Sequence, residues 1–101
     1  MIIYNTTYHV DLTVEDNFVI WIKEVFIPSV LKQEVLKNPR FHKILSHVEP
    51  GQTNYALQWE VDSPAVLHKW HMEYANFPST ELAKIFEDKV LSFDTLMRVV
   101  E

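Results

Sequence analysis

Residues 2 to 12 alternate between apolar and polar: Ile2, Tyr4, Tyr8, Val10 and Leu12 share one parity, while Asn5, Thr7, His9 and Asp11 share the other. A period of two belongs to a strand with one face in a core. The chain is therefore expected to open with a half-buried strand. Thr13, followed by Val14, Glu15 and Asp16, puts a capping hydroxyl and two acids at the positive end of a helix. That helix is predicted to run to about Lys37, bent near Pro28 and stopped by Asn38 and Pro39, since proline lacks the ladder N–H and restricts its predecessor. Phe41 to Glu49 and Asn54 to Val61 flank Pro50, Gly51, Gln52 and Thr53, the pattern of a hairpin.

Asp62 and Ser63 before Pro64 read as a helix N-cap with proline at the first helical position. The second helix is predicted to reach about Ala75 and to break at Pro78, with Ser79 or Thr80 and Glu81 restarting a shorter helix that ends near Lys89. From Val90 to Val100 the alternation returns: Leu91, Phe93, Met97 and Val99 stand on one parity, Ser92, Asp94, Leu96 and Arg98 on the other. The order strand, helix, strand, strand, helix, strand, with right-handed crossovers, is a ferredoxin-like βαββαβ fold. The expected class is α+β, a single domain over residues 1–101, with a four-stranded antiparallel sheet and helices on one face.

Two surfaces are left to explain. Ten of the fourteen residues from Phe18 to Leu31 are apolar and point in nearly every direction around a helix, more than one sheet covers. Either the second helix region or a terminus packs on the outside, or a second subunit does. The sheet face away from the helices carries Asn5, Thr7, His9 and Asp11 beside Asn54, Ala56, Gln58 and Glu60. It is either a wet face, as antiparallel sheets allow, or the contact of a homodimer in which Asn5, Thr7, His9, Gln58 and Glu60 pair across a twofold axis.

Composition narrows the function classes. Nine Lys and Arg against fourteen Asp and Glu leave a net charge of −5, with no basic stripe for nucleic acid or anionic membrane. The absence of cysteine removes thiol nucleophiles, disulfides and thiolate metal sites. A single glycine, Gly51, is too few for phosphate loops or a G-x-S-x-G turn. The apolar runs Phe18 to Ile22 and Val25 to Ile27 are split by Lys23 and Glu24, short of the roughly 18 residues of a membrane span. No basic leader follows Met1, and a cytoplasmic protein is expected. The 48% hydrophobic content sits largely in the first helix and an aromatic cluster, which suits one half of an assembly.

The candidate chemistry lies in histidines and aromatic rings. His68 and His71 are three apart on the second helix, able to share a face but without the frame of a metal site; no metal or cofactor is expected. His42 and His47 fall on opposite parities of an outer strand. His9 and Glu60 share a sheet face, either as a carboxylate-oriented imidazole or as a structural hydrogen bond. Tyr4, Tyr8, Tyr55, Trp59 and Trp70 gather between sheet and helices, as an ordinary aromatic core or as the lining for a small hydrophobic or aromatic ligand.

The opening Met1-Ile2-Ile3-Tyr4-Asn5, the stretch Trp21-Ile22-Lys23-Glu24-Val25-Phe26-Ile27-Pro28 and the ending Phe93-Asp94-Thr95-Leu96 resemble a small bacterial family of domains of unknown function. The resemblance covers essentially the whole chain. It implies a ferredoxin-like domain of the dimeric α/β-barrel type, two sheets facing one another. Trp59, Ser63, Ala65, His68 and Trp70 are similar to the strand-to-helix junction of antibiotic-biosynthesis monooxygenases and their haem-degrading relatives. That similarity implies roles for Asn5 and Trp70, whereas Thr80 stands where the haem enzymes carry a histidine. The expected function is a homodimer binding a small hydrophobic ligand between sheet and helices; the alternative is a cofactor-independent monooxygenase-like or isomerase-like enzyme. In the enzyme, Asn5, His68, Trp70 and His71 are the candidate catalytic residues.

Overall fold

The alternation of the first segment places it at the centre of the sheet. The computed structural model describes the backbone of residues 1–74 and 77–101, and side chains outside 75–80. Strand β1 (Ile2–Asp11) pairs antiparallel with β3 (Gln52–Val61) on one side and β4 (Val90–Arg98) on the other, and β2 (Lys37–Ile44) pairs with β3, giving the order β2-β3-β1-β4. This is the ferredoxin-like antiparallel sheet with helices on one face. The sheet is not closed into a barrel, which corrects the barrel architecture that the resemblance implied. Strands β2 and β4 are its two ends, separated by β3 and β1 and not paired with one another; closure needs a continuous ring of pairing that four strands in this order do not make.

The core lies between the helix-facing side of the sheet and the helix layer. Ile2, Tyr4, Tyr8 and Val10 of β1 are buried there with Tyr55, Leu57, Trp59 and Val61 of β3. The cap is Asp11 rather than the expected Thr13, and the α-helix proper begins only at Glu15. Asp11 accepts from the backbone N–H of Thr13 at 2.9 Å and caps a short 3₁₀ turn over Leu12–Val14, after which α1 spans Glu15–Trp21. A π-helical segment, Ile22–Phe26, then leads into α2 (Ile27–Leu31). Pro28 explains the wide turn: with no N–H and a ring that crowds the carbonyl four residues back, it disfavours α-helical spacing through Glu24. The bend expected at Pro28 is thus a change of hydrogen-bond register, and Ile27 N–H donates to the Ile22 carbonyl.

This helical stretch ends at Leu31, short of the predicted Lys37. Gln33 and Glu34 close tight turns onto Val30 and Leu31, and Glu34 takes a positive φ of 58°, which leaves the right-handed helix. Asn38 and Pro39 are not a helix stop; they form an irregularity inside β2, where the register with β3 shifts between Lys37 and Arg40. Asn38 tolerates its φ of 50°, and an edge-strand irregularity is where proline is accommodated. His47 lies beyond β2, in the loop before β3, which corrects its placement on the outer strand.

Ser63 caps α3 (Pro64–Glu73) as expected, accepting from the Val66 N–H at 3.2 Å with Pro64 in the first turn. The predicted end at Ala75 lies outside the described residues. Helix α4 (Phe77–Phe86) starts before Pro78, because the first helical turn needs no N–H from proline. Of the first helical stretch, Phe18, Trp21, Ile22, Phe26 and Val30 are buried, while Ile20, Val25 and Leu31 face outward.

Phe18 is the hub of the aromatic packing. Fully buried, it has ring centroids 5.0 Å from Tyr8, 5.6 Å from Tyr55, 6.0 Å from Phe86 and 6.1 Å from Phe41. Its removal would leave a void bordered by both layers. Phe18→Ala is expected to cost about 3–5 kcal/mol in urea unfolding; a loss below about 1 kcal/mol would show that the two layers are not held through this ring.

Candidate functional site

The β1–β4 register builds a polar cluster at the helix-facing edge of the aromatic core. Thr6 stands opposite Asp94, and Tyr4 stands opposite Leu96. The Thr6 hydroxyl donates to Asp94 Oδ1 and the Tyr4 hydroxyl donates to Asp94 Oδ2, each at 2.9 Å. His71, one helical position after buried Trp70, brings its Nε2 to 3.2 Å from the same Tyr4 oxygen. The imidazole is edge-on to the Tyr4 ring, at 5.4 Å and 87°, and lies 5.2 Å from the Trp70 ring. Trp70 is itself anchored by its Nε1–H, which donates to Gln33 Oε1 at 2.6 Å.

Burial and the neighbouring Asp94 charge raise the Tyr4 phenol above its ordinary range, so it remains a donor at neutral pH. Burial likewise raises Tyr8. At the opposite end of the core, the Tyr55 hydroxyl donates to Glu15 Oε2 at 2.6 Å, and Lys43 reaches the same oxygen at 3.0 Å. Burial first, then Glu15, pushes Tyr55 up to about 12. The hydrogen bond from Tyr55, followed by that from Lys43, holds Glu15 below the usual carboxylate range.

Tyr4, Trp70 and His71 are therefore brought together, but the other proposed catalytic residues are not. His68 is exposed on α3. Asn5 points from the opposite face of the sheet, where its Nδ2 donates to Thr7 Oγ1 at 3.1 Å and its buried Oδ1 has no partner among the described residues. The sheet itself separates Asn5 from Trp70. Tyr8 and Trp59, each 1% exposed, are packed within the core, and Tyr55 stacks on Phe41 at 5.1 Å. A groove of about 440 Å³, lined in part by Leu12, Lys43, Val48 and Gly51, lies toward the far end of β1.

The open sheet face holds Asn5, Thr7, His9, Gln58 and Glu60, as the alternation implied. His9 and Glu60 do not meet. In the antiparallel register Glu60 lies opposite Ile3 and His9 opposite Asn54, about 20 Å apart along the strand at ~3.3 Å per residue. His9 Nδ1 instead lies 2.7 Å from Asn54 Oδ1, and Glu60 accepts from Asn38.

Asp94 and Thr6 are the site residues that sequence reasoning missed. Asp94 shares its parity with Leu96 and carries the polar partner that Tyr4 requires on the helix side. The apolar parity of β4, Leu91, Phe93 and Met97, faces the open side, where Phe93 lies 5.6 Å from the His9 ring. The signal was an acid in the closing motif, far along the chain from the candidates on β1 but on the strand paired with them.

The Tyr55–Glu15 pair has a two-sided dependence on pH. Its stabilisation is present above the ordinary carboxylate value and fades as pH falls through the lowered value of Glu15. It also fades above about pH 10, where an unfolded phenol ionises and the folded one does not. Relative to wild type, Tyr55→Phe should be less stable near neutrality, with the gap narrowing below about pH 4 and above about pH 10. Urea midpoints across pH check this; a constant gap would exclude the coupling.

Solved structures with this fold include HapK from Hahella chejuensis, 12% identical with a TM-score of 0.70 over 99% of this chain and 93% of that one. A dimeric ferredoxin-like protein from an uncultured marine organism is 17% identical, with a TM-score of 0.66 over 100% and 96%. A proposed antibiotic biosynthesis monooxygenase from Deinococcus radiodurans is 16% identical, with a TM-score of 0.68 over 100% and 94%. At these identities the likeness is one of fold. No curated protein matches the chain, and no helix among the described residues is long and apolar enough to cross a membrane. Residues 1–100 match the model described as Domain of unknown function (DUF4286), and the chain belongs to that family.

Proposed function

We propose that the protein works as a homodimer in which the open sheet faces of two copies stack on one another, with Asn5, Thr7, His9, Gln58 and Glu60 in the contact. The observation that carries this is the row Leu91, Phe93 and Met97, respectively 60%, 52% and 38% exposed, on the same sheet face as Asn5, Thr7 and His9. Apolar side chains in such a row favour removal from water.

Four strands spaced ~4.8 Å apart and eight to ten residues long present a face on the order of 600 Å². With side-chain relief this approaches the ~800 Å² per partner of a standard stable interface. The marine ferredoxin-like protein of the same fold is described as dimeric, which supports a second copy as the occupant. The stacked arrangement is a pair of open sheets.

A second reading places a small hydrophobic ligand on the helix side, between sheet and helices. It is favoured by the partly exposed His71 beside Tyr4 and Asp94, since Tyr8, Trp59 and Trp70 are buried in the packed core. Within the enzyme alternative, that polar cluster fits isomerase-like proton transfer better than monooxygenase-like chemistry.

Light scattering after size exclusion should give twice the 12.0 kDa chain mass at tens of micromolar. Phe93→Asp, and separately Asn5→Asp with Gln58→Glu, should weaken association at least about 10-fold, equivalent to ~1.4 kcal/mol, with unchanged circular dichroism. A monomeric wild type would overturn the proposal, and unaltered association of both variants would move the interface off the sheet.

A further inference from the structure

The Tyr4 hydroxyl has one proton, and its geometry commits that proton to Asp94 Oδ2 at 2.9 Å. At the 3.2 Å contact with His71, the phenol oxygen is then the acceptor and the imidazole Nε2–H the donor. A neutral imidazole protonated at Nε2 keeps its lone pair on Nδ1. Among the described residues, Nδ1 has no hydrogen-bond partner. His71 is partly exposed, whereas Tyr4 is buried and Asp94 is held by two hydroxyls.

We propose that His71 Nδ1 is the proton-accepting atom of a small-molecule site, with Tyr4, Thr6 and Asp94 as positioning residues. This rests on the helix-side ligand reading above and adds the chemical class: a small apolar carbonyl compound with a weakly acidic C–H beside the carbonyl. Leu96, 47% exposed and opposite Tyr4 on the same side of β4, supplies an apolar contact beside the polar cluster. As Nδ1 forms its bond to the proton, the C–H bond breaks; its electron pair becomes the C=C of an enolate, and the carbonyl π pair moves to oxygen. The imidazolium exchanges the acquired proton with solvent, and delivery of the solvent hydron to the α-carbon reforms the carbonyl, restores neutral His71 and completes exchange. No oxidant or reductant enters.

The phenol passes the influence of Asp94 to the imidazole. When His71 gains its second proton, Nε2–H strengthens its bond to the Tyr4 oxygen, while the Tyr4 hydroxyl strengthens its bond to the Asp94 carboxylate. Asp94 thereby orients the imidazole through the Tyr4 hydroxyl, with Nδ1 left to face the substrate. The edge-on Tyr4 ring and the Trp70 ring restrict rotation that would exchange the two imidazole nitrogens.

The test is deuterium exchange into phenylacetone in D₂O, followed by proton NMR, with wild type, His71→Gln, Tyr4→Phe and Asp94→Asn. Wild type should exceed buffer and His71→Gln by at least about 10-fold. Asp94→Asn should retain exchange at a reduced rate and lose the preference of the neutral imidazole for the Nε2 proton in nitrogen-15 spectra, a change that loss of packing alone would not produce. Nitrogen-15 spectra should place the neutral imidazole proton on Nε2. A proton on Nδ1, or equal rates for wild type and His71→Gln, would overturn the proposal. If phenylacetone shifts the amide signals of Tyr4 and His71 without exchange, proton transfer fails while the ligand reading stands; if it shifts neither, both fail.

Discussion

The two-sided pairing of β1 is the constraint on which the other features depend. Hydrogen-bonded to β3 and β4 together, β1 cannot rotate or slip by one residue without moving Tyr4, Tyr8 and Val10 out of the core and Asn5, Thr7 and His9 into it. That locked alternation divides the molecule. On β1, residues of even number meet the helices and join the aromatic interior, with Tyr4 and Thr6 aimed at Asp94; those of odd number form the open face. The same register that creates the Tyr4–Asp94–His71 cluster therefore excludes Asn5 from it.

The apolar content is distributed unevenly about this division. Phe18 and its ring neighbours account for the interior. The excess appears on β4, where only Val90 is buried, and on the outer side of the first helical stretch at Ile20, Val25 and Leu31. A sheet with one helix layer has no second apolar surface of its own to cover β4. The polar character expected of the open face holds for β1 and β3, but the edge strand adds an apolar row to it.

Much of the fold was legible because it rests on local chemistry. The period of two in Ile2 to Asp11, the serine–proline cap before α3 and the glycine turn before β3 each act over a few residues. Boundaries failed where a longer-range effect competed. Pro28 is accommodated by π-helical spacing, while Asn38 and Pro39 serve an edge strand that already has a partner in β3. The candidate site was half legible. Tyr4, Trp70 and His71 declared themselves as aromatic and titratable residues on facing elements, whereas Asp94 gained meaning only when β4 was set beside β1.

By itself, then, the sequence determined the order and type of the elements and which β1 residues enter the core, because side-chain alternation and helix capping are local. It also determined the negative charge and the absence of thiol chemistry, which require no fold. Tertiary structure alone decided that the sheet stays open, that β4 turns its polar parity toward the helices, and that Asp94, Tyr4 and His71 form one connected cluster. Those outcomes depend on strand order and cross-strand register, which join residues as much as 90 positions apart and leave no periodic trace in the chain.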